Sequence, residues 1–191
     1  MLPEQGVAVA ACYANKIVVL RLTDGVPVGA SLSLRTRHLA VDRDSVRIYC
    51  PQSNSISVIE WRGSDPAAPD YGLAVVDRID FEAHPARISG DNSVLAFVPR
   101  SEERPVHLVI GRWGHSELYV IDLEARTLAC VDGTALRRTE GGGEGGYRMP
   151  NEVTGMAVDG PGRGLLVMDL REERAAHVLP LPLPLVAAAS R

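Results

Sequence analysis

The sequence lacks the features of a nucleic-acid-binding or membrane-spanning protein. Its 191 residues carry a net charge of −4, and no run of basic residues is longer than Arg137-Arg138. Binding to a phosphate backbone needs a basic patch, so we predict no nucleic-acid partner. The longest apolar segment, Leu179 to Ala189, is broken by three prolines and is too short to cross a bilayer. We therefore predict no membrane partner either.

Cysteine is also scarce. The sequence has three cysteines, an odd number, and no Cys-x-x-Cys pair. Each lies beside or within an apolar run, where a free cysteine acts as a small buried hydrophobe. The N-terminal segment, residues 1–5, has neither the positive flank nor the apolar stretch of a signal peptide. These observations predict a cytoplasmic protein.

What the sequence does contain is a motif that recurs four times. Leu39–Asp42 and Met156–Asp159 share one pattern, and weaker copies begin at Ile88 and Val7. Each copy is followed by a turn and then by a second apolar run. Repeats of this kind are supersecondary units that bury their apolar faces only against their neighbours.

The clearest unit predicts four strands. They are His38–Val41, Val46–Cys50, Ile56–Trp61 and Leu73–Ile79, joined by segments rich in turn-forming residues. Four antiparallel strands in about forty residues is the size of a propeller blade. No segment shows the periodicity of an amphipathic helix. The sequence thus predicts an all-β fold that resembles a β-propeller, with about four blades of antiparallel strands.

The same repeats predict the domain organisation. We expect a single domain over residues 1–191, with repeat units near 6–36, 37–84, 85–136 and 152–184. A glycine-rich segment, 137–150, is predicted to be an exposed loop, because glycine loses much entropy on ordering.

Two segments carry a resemblance to known families. Ser53–Ile59 and Glu117–Leu128 resemble the blade strands of the YVTN, NHL and WD40-like propellers, in which a polar hairpin is followed by an apolar run ending in Asp. The regular Gly-His and Trp-Asp signature of true WD40 repeats is absent. The resemblance implies a propeller, and four blades are fewer than is usual in these families. Three forms stay open: a small propeller, a partial or open one, and a larger ring completed by another chain, including a homo-oligomer.

One loop has the composition of a binding site. Between Gly111 and Glu117 it groups Arg112, Trp113 and His115 with a serine hydroxyl. Trp and Arg are favoured at interfaces because they offer a large contact area with a polar handle. We predict that these three residues bind a protein or peptide partner. The alternative is that Trp113 packs onto a neighbouring blade.

Signals of catalysis are missing. No His-x-x-x-His or His-Glu-x-x-His pattern occurs, and Ser116 is not in a Gly-x-Ser-x-Gly elbow. We therefore predict no catalytic residue, no metal ligand and no cofactor. The first hypothesis is a non-enzymatic interaction module that binds a protein or peptide through its rim loops. The alternatives are a propeller-type hydrolase or lyase with a central metal ion, and a structural partial propeller completed by a second chain.

Overall fold

The structure, a computed structural model, describes most of the chain. The described residues are 1–12, 15–29, 31–63, 65, 72–80, 88–90, 92–101, 105–113, 115–132, 153–159, 164–169 and 176–187. The predicted glycine-rich loop 137–150 lies outside them. Their only helical segment is a 3₁₀ turn at Pro3–Gln5. No helix in this part of the chain is long and apolar enough to cross a membrane.

The described chain is all-β, as the sequence predicts. Its strands form four antiparallel sheets, which we number 1 to 4 in chain order. Alternating apolar and polar residues bounded by turn formers give this pattern, since successive side chains of a strand point to opposite faces. The prediction of about four antiparallel sheets of the propeller type is confirmed. The single-domain interpretation of residues 1–191 stays a prediction.

Sheets 1 and 2 lie in the first of two compact units, which spans Met1–Ala83 and Arg87–Asp91. The strands of sheet 1 are β1 (Val7–Cys12), β2 (Lys16–Arg21) and β3 (Leu32–Ser33). Those of sheet 2 are β4 (Ala40–Asp42), β5 (Arg47–Gln52), β6 (Ser55–Trp61) and β7 (Leu73–Asp80). Each strand pairs with the next one along the chain, so both sheets are simple meanders.

The core of this unit lies between its two sheets. Ile17 of β2 packs with Ile48 and Ile59 of sheet 2, and all three are fully buried. A second cluster places Val19 beside Leu2, which precedes β1. Burial of several such side chains stabilises the unit, since each contributes about 1.5–3 kcal/mol when taken out of water.

The start of β5 differs from the sequence prediction. Val46 was expected to begin this strand, but its φ of 57° places it in the left-handed region, and β5 begins at Arg47. The turn is built around Asp42, whose carboxylate accepts a hydrogen bond from the backbone N–H of Asp44 at 3.0 Å. A branched side chain is rare at positive φ, so local composition gave no sign of this turn.

Sheets 3 and 4 lie in the second unit, which spans His84–Ala86 and Asn92–Arg191. Sheet 3 contains β8 (Ser93–Val98), β9 (His107–Arg112), β10 (Leu118–Asp122), β11 (Thr127–Val131) and β15 (Leu185–Ala187). Sheet 4 contains β12 (Val153–Val158), β13 (Gly164–Asp169) and β14 (Ala176–Pro180). The core between them is formed by buried aliphatic side chains, among them Val109, Leu118, Leu165 and Leu179.

The last strand of the chain was not predicted. The last repeat unit predicted from the sequence ends near residue 184, and β14 ends at Pro180. The chain then returns as β15 and pairs antiparallel with β11, with Val131 opposite Leu185. Sheet 3 therefore has five strands. This pairing joins residues more than fifty positions apart, and a local sequence pattern cannot specify it.

Candidate functional site

The loop that the sequence singled out connects β9 to β10. Its backbone is fixed at three points within the second unit. The N–H of Trp113 donates to the carbonyl of Asn92 at 2.6 Å, and the N–H of His115 donates to the carbonyl of Arg112 at 3.0 Å. The carbonyl of His115 in turn accepts from the N–H of Val153 at 3.0 Å. The loop is thus tied to the first residue of β12 and to the residue before β8.

The side chains of this loop face water. Trp113 is 52% exposed, His115 is exposed, and Arg112 is half-buried. Most large apolar side chains in a small domain are buried, so an indole with this exposure is uncommon. The alternative, in which Trp113 packs onto a neighbouring blade, stays a hypothesis.

A polar cluster lies beside the loop on one face of sheet 3. Tyr119 pairs across the strands with Cys130, and its hydroxyl donates a hydrogen bond to Oε2 of Glu117 at 3.2 Å. Because side chains two positions apart share a face, Glu117 and Tyr119 lie on the same side of β10. The Arg112 guanidinium is near enough to the Tyr119 hydroxyl to interact with it electrostatically. The cluster offers hydrogen-bond donors and acceptors next to an exposed indole.

Two ionisable groups of the cluster, Tyr119 and Cys130, are held in their neutral forms. Burial, with the nearby Glu117 carboxylate, raises the pKa of the Tyr119 hydroxyl above its ordinary value. Burial also raises the pKa of the Cys130 thiol, and the charges of Glu117 and Asp132 act in the same direction. A thiol must lose its proton to act as a nucleophile. The environment of Cys130 therefore disfavours nucleophilic attack by this thiol.

The sequence pattern indicated the loop but not its neighbours. It placed Arg112, Trp113 and His115 together, and the structure brings all three into one turn. It did not connect Tyr119 or Cys130 to the site. The signal was present in the hairpin, since the four-residue turn after Asp122 sets the register that places Cys130 opposite Tyr119. Their role in binding stays a prediction.

The other chemistry-bearing residues are dispersed. Within the described ranges, no three or more His, Cys, Asp or Glu side chains form a group that could hold a metal ion. All three cysteines are free, and Cys50 is fully buried. Burial raises the pKa of the Cys50 thiol far above its usual value. This cysteine packs in the core with Ile48 and Ile59.

Comparison with known proteins gives the fold but no family. No protein-family model matches the sequence, and no curated protein matches it. Among solved structures, the chain is similar to hydrazine synthase of Kuenenia stuttgartiensis, with a TM-score of 0.56 and 11% identity over 100% of this chain and 49% of that one. It is also similar to an auxiliary nutrient binding protein from Bacteroides thetaiotaomicron, with a TM-score of 0.60 and 11% identity over 93% of this chain and 46% of that one.

A third similar structure contains the WD40 repeats of RRP9, with a TM-score of 0.45, 12% identity and coverage of 98% of this chain and 51% of that one. The chain spans about half the length of each of these structures. At this level of identity the likeness concerns the fold alone. The four antiparallel sheets and the two structures matched above a TM-score of 0.5 together assign the chain to a propeller-type architecture.

Proposed function

We propose that this chain is a non-enzymatic interaction module that binds a protein or peptide through the β9–β10 loop. The observation that carries the proposal is the combination of a fixed backbone with an exposed indole. Three backbone hydrogen bonds hold the loop, while Trp113 is 52% exposed. A rigid loop loses little entropy on binding, so the contact area of the indole is available to a partner.

The neighbouring groups favour a peptide as the partner. Arg112 and Glu117 supply a cation and a carboxylate beside the indole, and His115 is exposed in the same loop. A peptide carries backbone donors and acceptors together with charged side chains, so it can pair with all three. Tyr119 is buried and protonated, and the hydrogen bond from its hydroxyl positions the Glu117 carboxylate.

Selection from a random peptide library displayed on phage tests this proposal. We expect the immobilised wild-type protein to enrich peptides, and Trp113→Ala to bind the enriched peptides about 30-fold to 1,000-fold less tightly, since loss of a central aromatic anchor costs about 2–4 kcal/mol. Val75→Ala is a matched control, because Val75 is 47% exposed on β7, outside the second unit. Enrichment that survives in Trp113→Ala, or no enrichment on the wild type, would contradict the proposal.

No group of three or more His, Cys, Asp or Glu side chains among the described residues could hold the metal ion of the enzymatic alternative. A propeller-type hydrolase or lyase with a central metal ion therefore stays a hypothesis, as does the cytoplasmic location. The structural alternative, completion by a second chain, stays a hypothesis as well.

A further inference from the structure

We propose that the partner of the β9–β10 loop is an acidic peptide, in which a side-chain carboxylate binds Arg112 and a nearby apolar side chain packs on Trp113. The acidic partner rests on the proposed function, because it is one class of the peptides that this loop is proposed to bind. Its chemistry follows from which polar groups of the loop already have partners within the chain and which do not.

A β-turn brings the donors of the loop together. The N–H of His115 donates to the carbonyl of Arg112 at 3.0 Å, three residues earlier. Such a bond closes a β-turn, so the Cα atoms of Arg112 and His115 lie within about 7 Å of each other. Trp113 is the second residue of this turn, and it is 52% exposed. A guanidinium and an imidazole are therefore attached at the two ends of one turn that carries an exposed indole.

The side chains of this turn carry donors without partners in the chain. Arg112 has five guanidinium N–H groups, and His115 has at least one imidazole N–H. Trp113 adds an indole N–H, and the exposed Ser116 adds a hydroxyl. Within the part of the chain that the structure describes, none of these four side chains forms a hydrogen bond or an ion pair. The turn is thus a cluster of unused donors, and a group rich in acceptors satisfies them.

Arg112 is the donor that gains most from an anionic partner. It is half-buried, so its charge is partly removed from water. A partly buried charge is costly without a counter-charge, and a bound carboxylate offsets that cost. The planar guanidinium can donate to both oxygens of one carboxylate. Phosphopeptide sites use clusters of arginine, whereas this turn offers one, so a carboxylate is the better fit.

The carboxylates near the loop do not occupy Arg112. Oε2 of Glu117 accepts the hydrogen bond from the Tyr119 hydroxyl at 3.2 Å. Burial raises the pKa of the Cys130 thiol, and the charges of Glu117 and Asp132 raise it further, so both carboxylates act on this face of sheet 3. Arg112 forms an ion pair with neither of them among the described residues. The hydrogen bond from Tyr119 also offsets part of the Glu117 charge, which weakens its repulsion of an incoming carboxylate.

The spacing of the two anchors defines the peptide further. Arg112 and Trp113 are adjacent in the chain, so their Cα atoms lie about 3.8 Å apart. An extended peptide advances about 3.3 Å per residue, so the acidic and apolar residues that contact them should lie within about three positions of each other. The N–H of Trp113 donates to the carbonyl of Asn92 at 2.6 Å, which fixes the backbone between the anchors. We therefore expect a short motif with Asp or Glu close to a large apolar residue.

The peptides selected on the wild-type protein test the acidic partner. Asp and Glu should be enriched over their frequency in the unselected library, close to a large apolar residue. Arg112→Gln should bind these peptides about 10-fold to 100-fold less tightly, because charge-assisted hydrogen bonds are lost. Arg126→Gln is a matched control and should bind them like the wild type. Arg126 is exposed in the β10–β11 turn, at the opposite end of β10 from the loop.

A charge exchange tests whether the peptide carboxylate pairs with Arg112. Arg112→Glu should bind the acidic peptides more weakly than Arg112→Gln does, because like charges then face each other. Replacing the acidic residue of the peptide by Lys should restore binding to Arg112→Glu and weaken binding to the wild type. Circular dichroism of each variant verifies that lost binding is not a lost fold.

The outcomes separate the acidic partner from the binding role of the loop. Enriched peptides without an excess of Asp and Glu, which bind Arg112→Gln as tightly as the wild type, would overturn the acidic partner and leave the binding role intact. Enrichment of Lys and Arg would overturn it as well and would point to the Glu117 carboxylate. If the wild type enriches no peptide at all, the proposed function fails and the acidic partner fails with it.

Discussion

The two tryptophans of this chain differ in their packing and in how far their side chains are exposed. Trp61 ends β6 in the first unit, packs on the cluster that contains Leu2, Val7 and Val19, and is half-buried. Trp113 follows β9 in the second unit and is 52% exposed. Trp61 is the last residue of an apolar strand and Trp113 directly follows one, so the local sequence does not distinguish them. Their neighbours do, and we infer that one indole serves folding and the other serves binding.

The largest expected effect is on stability at Trp61. Trp61→Ala should lower the free energy of unfolding by about 3 kcal/mol, because the indole leaves a cavity beside the cluster of Leu2 and Val19. For a chain of this length the midpoint of thermal unfolding should fall by about 6–12 °C. Thermal unfolding monitored by circular dichroism measures it. A midpoint within 2 °C of the wild type would show that the packing of Trp61 contributes little.

The packing of Trp61 can also be tested at Gly29, which lies beside its ring. Gly29 has a φ of +72°, and a Cβ there would lie 3.1 Å from the Trp61 ring, whereas Gly25 has a φ of +71° and open space around it. Both alanine variants should lose about 1–2 kcal/mol to backbone strain. Gly29→Ala should lose about 1 kcal/mol more, because the ring must move.

Urea unfolding of the two variants measures this difference, and Trp61→Ala provides the control background. In that background Gly29→Ala and Gly25→Ala should become equally costly, as a double-mutant cycle would show. A difference that persists without the indole would assign it to the Gly72 backbone instead, whose Cα lies 3.4 Å from the same position.

The polar cluster beside Trp113 should make stability depend on alkaline pH. The folded-state pKa of Tyr119 is raised by burial and by Glu117, so the folded protein holds its proton above pH 10 while the unfolded chain releases it. The contribution of the protonated Tyr119 to the free energy of unfolding is complete below about pH 10. It is lost as the pH rises further, by up to about 1.4 kcal/mol per pH unit.

Tyr119→Phe should reduce that slope. Denaturant unfolding between pH 8 and pH 11 measures it, with Tyr49→Phe as the comparison, since burial also raises the pKa of Tyr49 in the first unit. A slope that is the same in Tyr119→Phe and the wild type would mean that this phenol ionises alike in the folded and unfolded states.

The smallest effect is spectroscopic. With Trp61→Phe the only indole emission is that of Trp113, and with Trp113→Phe it is that of Trp61, because the sequence contains two tryptophans. Acrylamide should quench the fluorescence of Trp113 more strongly than that of Trp61, since it reaches exposed indoles first. Equal quenching would contradict the difference in exposure on which the comparison depends.

The positions of the strands could be predicted from the sequence better than the long-range pairing of strands or the exposure of individual side chains. Strands such as β6 and β7 follow from alternating polarity and turn residues, which are local properties. The pairing of β15 with β11 and the exposure of Trp113 depend on residues distant in the sequence, and local patterns carry no record of them. The left-handed Val46 was missed because a β-branched residue is rare at positive φ. The β9–β10 loop was recognised by composition, whereas Tyr119 and Cys130 required the register.

The most direct test of a binding role for the β9–β10 loop is the thermal unfolding of Trp113→Ala, measured with its capture of the peptides selected on the wild-type protein. Because the Trp113 side chain is largely exposed, its removal should cost little packing energy. The midpoint of thermal unfolding should therefore stay within about 2 °C of the wild type, while peptide capture falls at least about 30-fold. A midpoint lowered by about 10 °C, as expected for a buried indole, or peptide capture that is unchanged, would contradict the account.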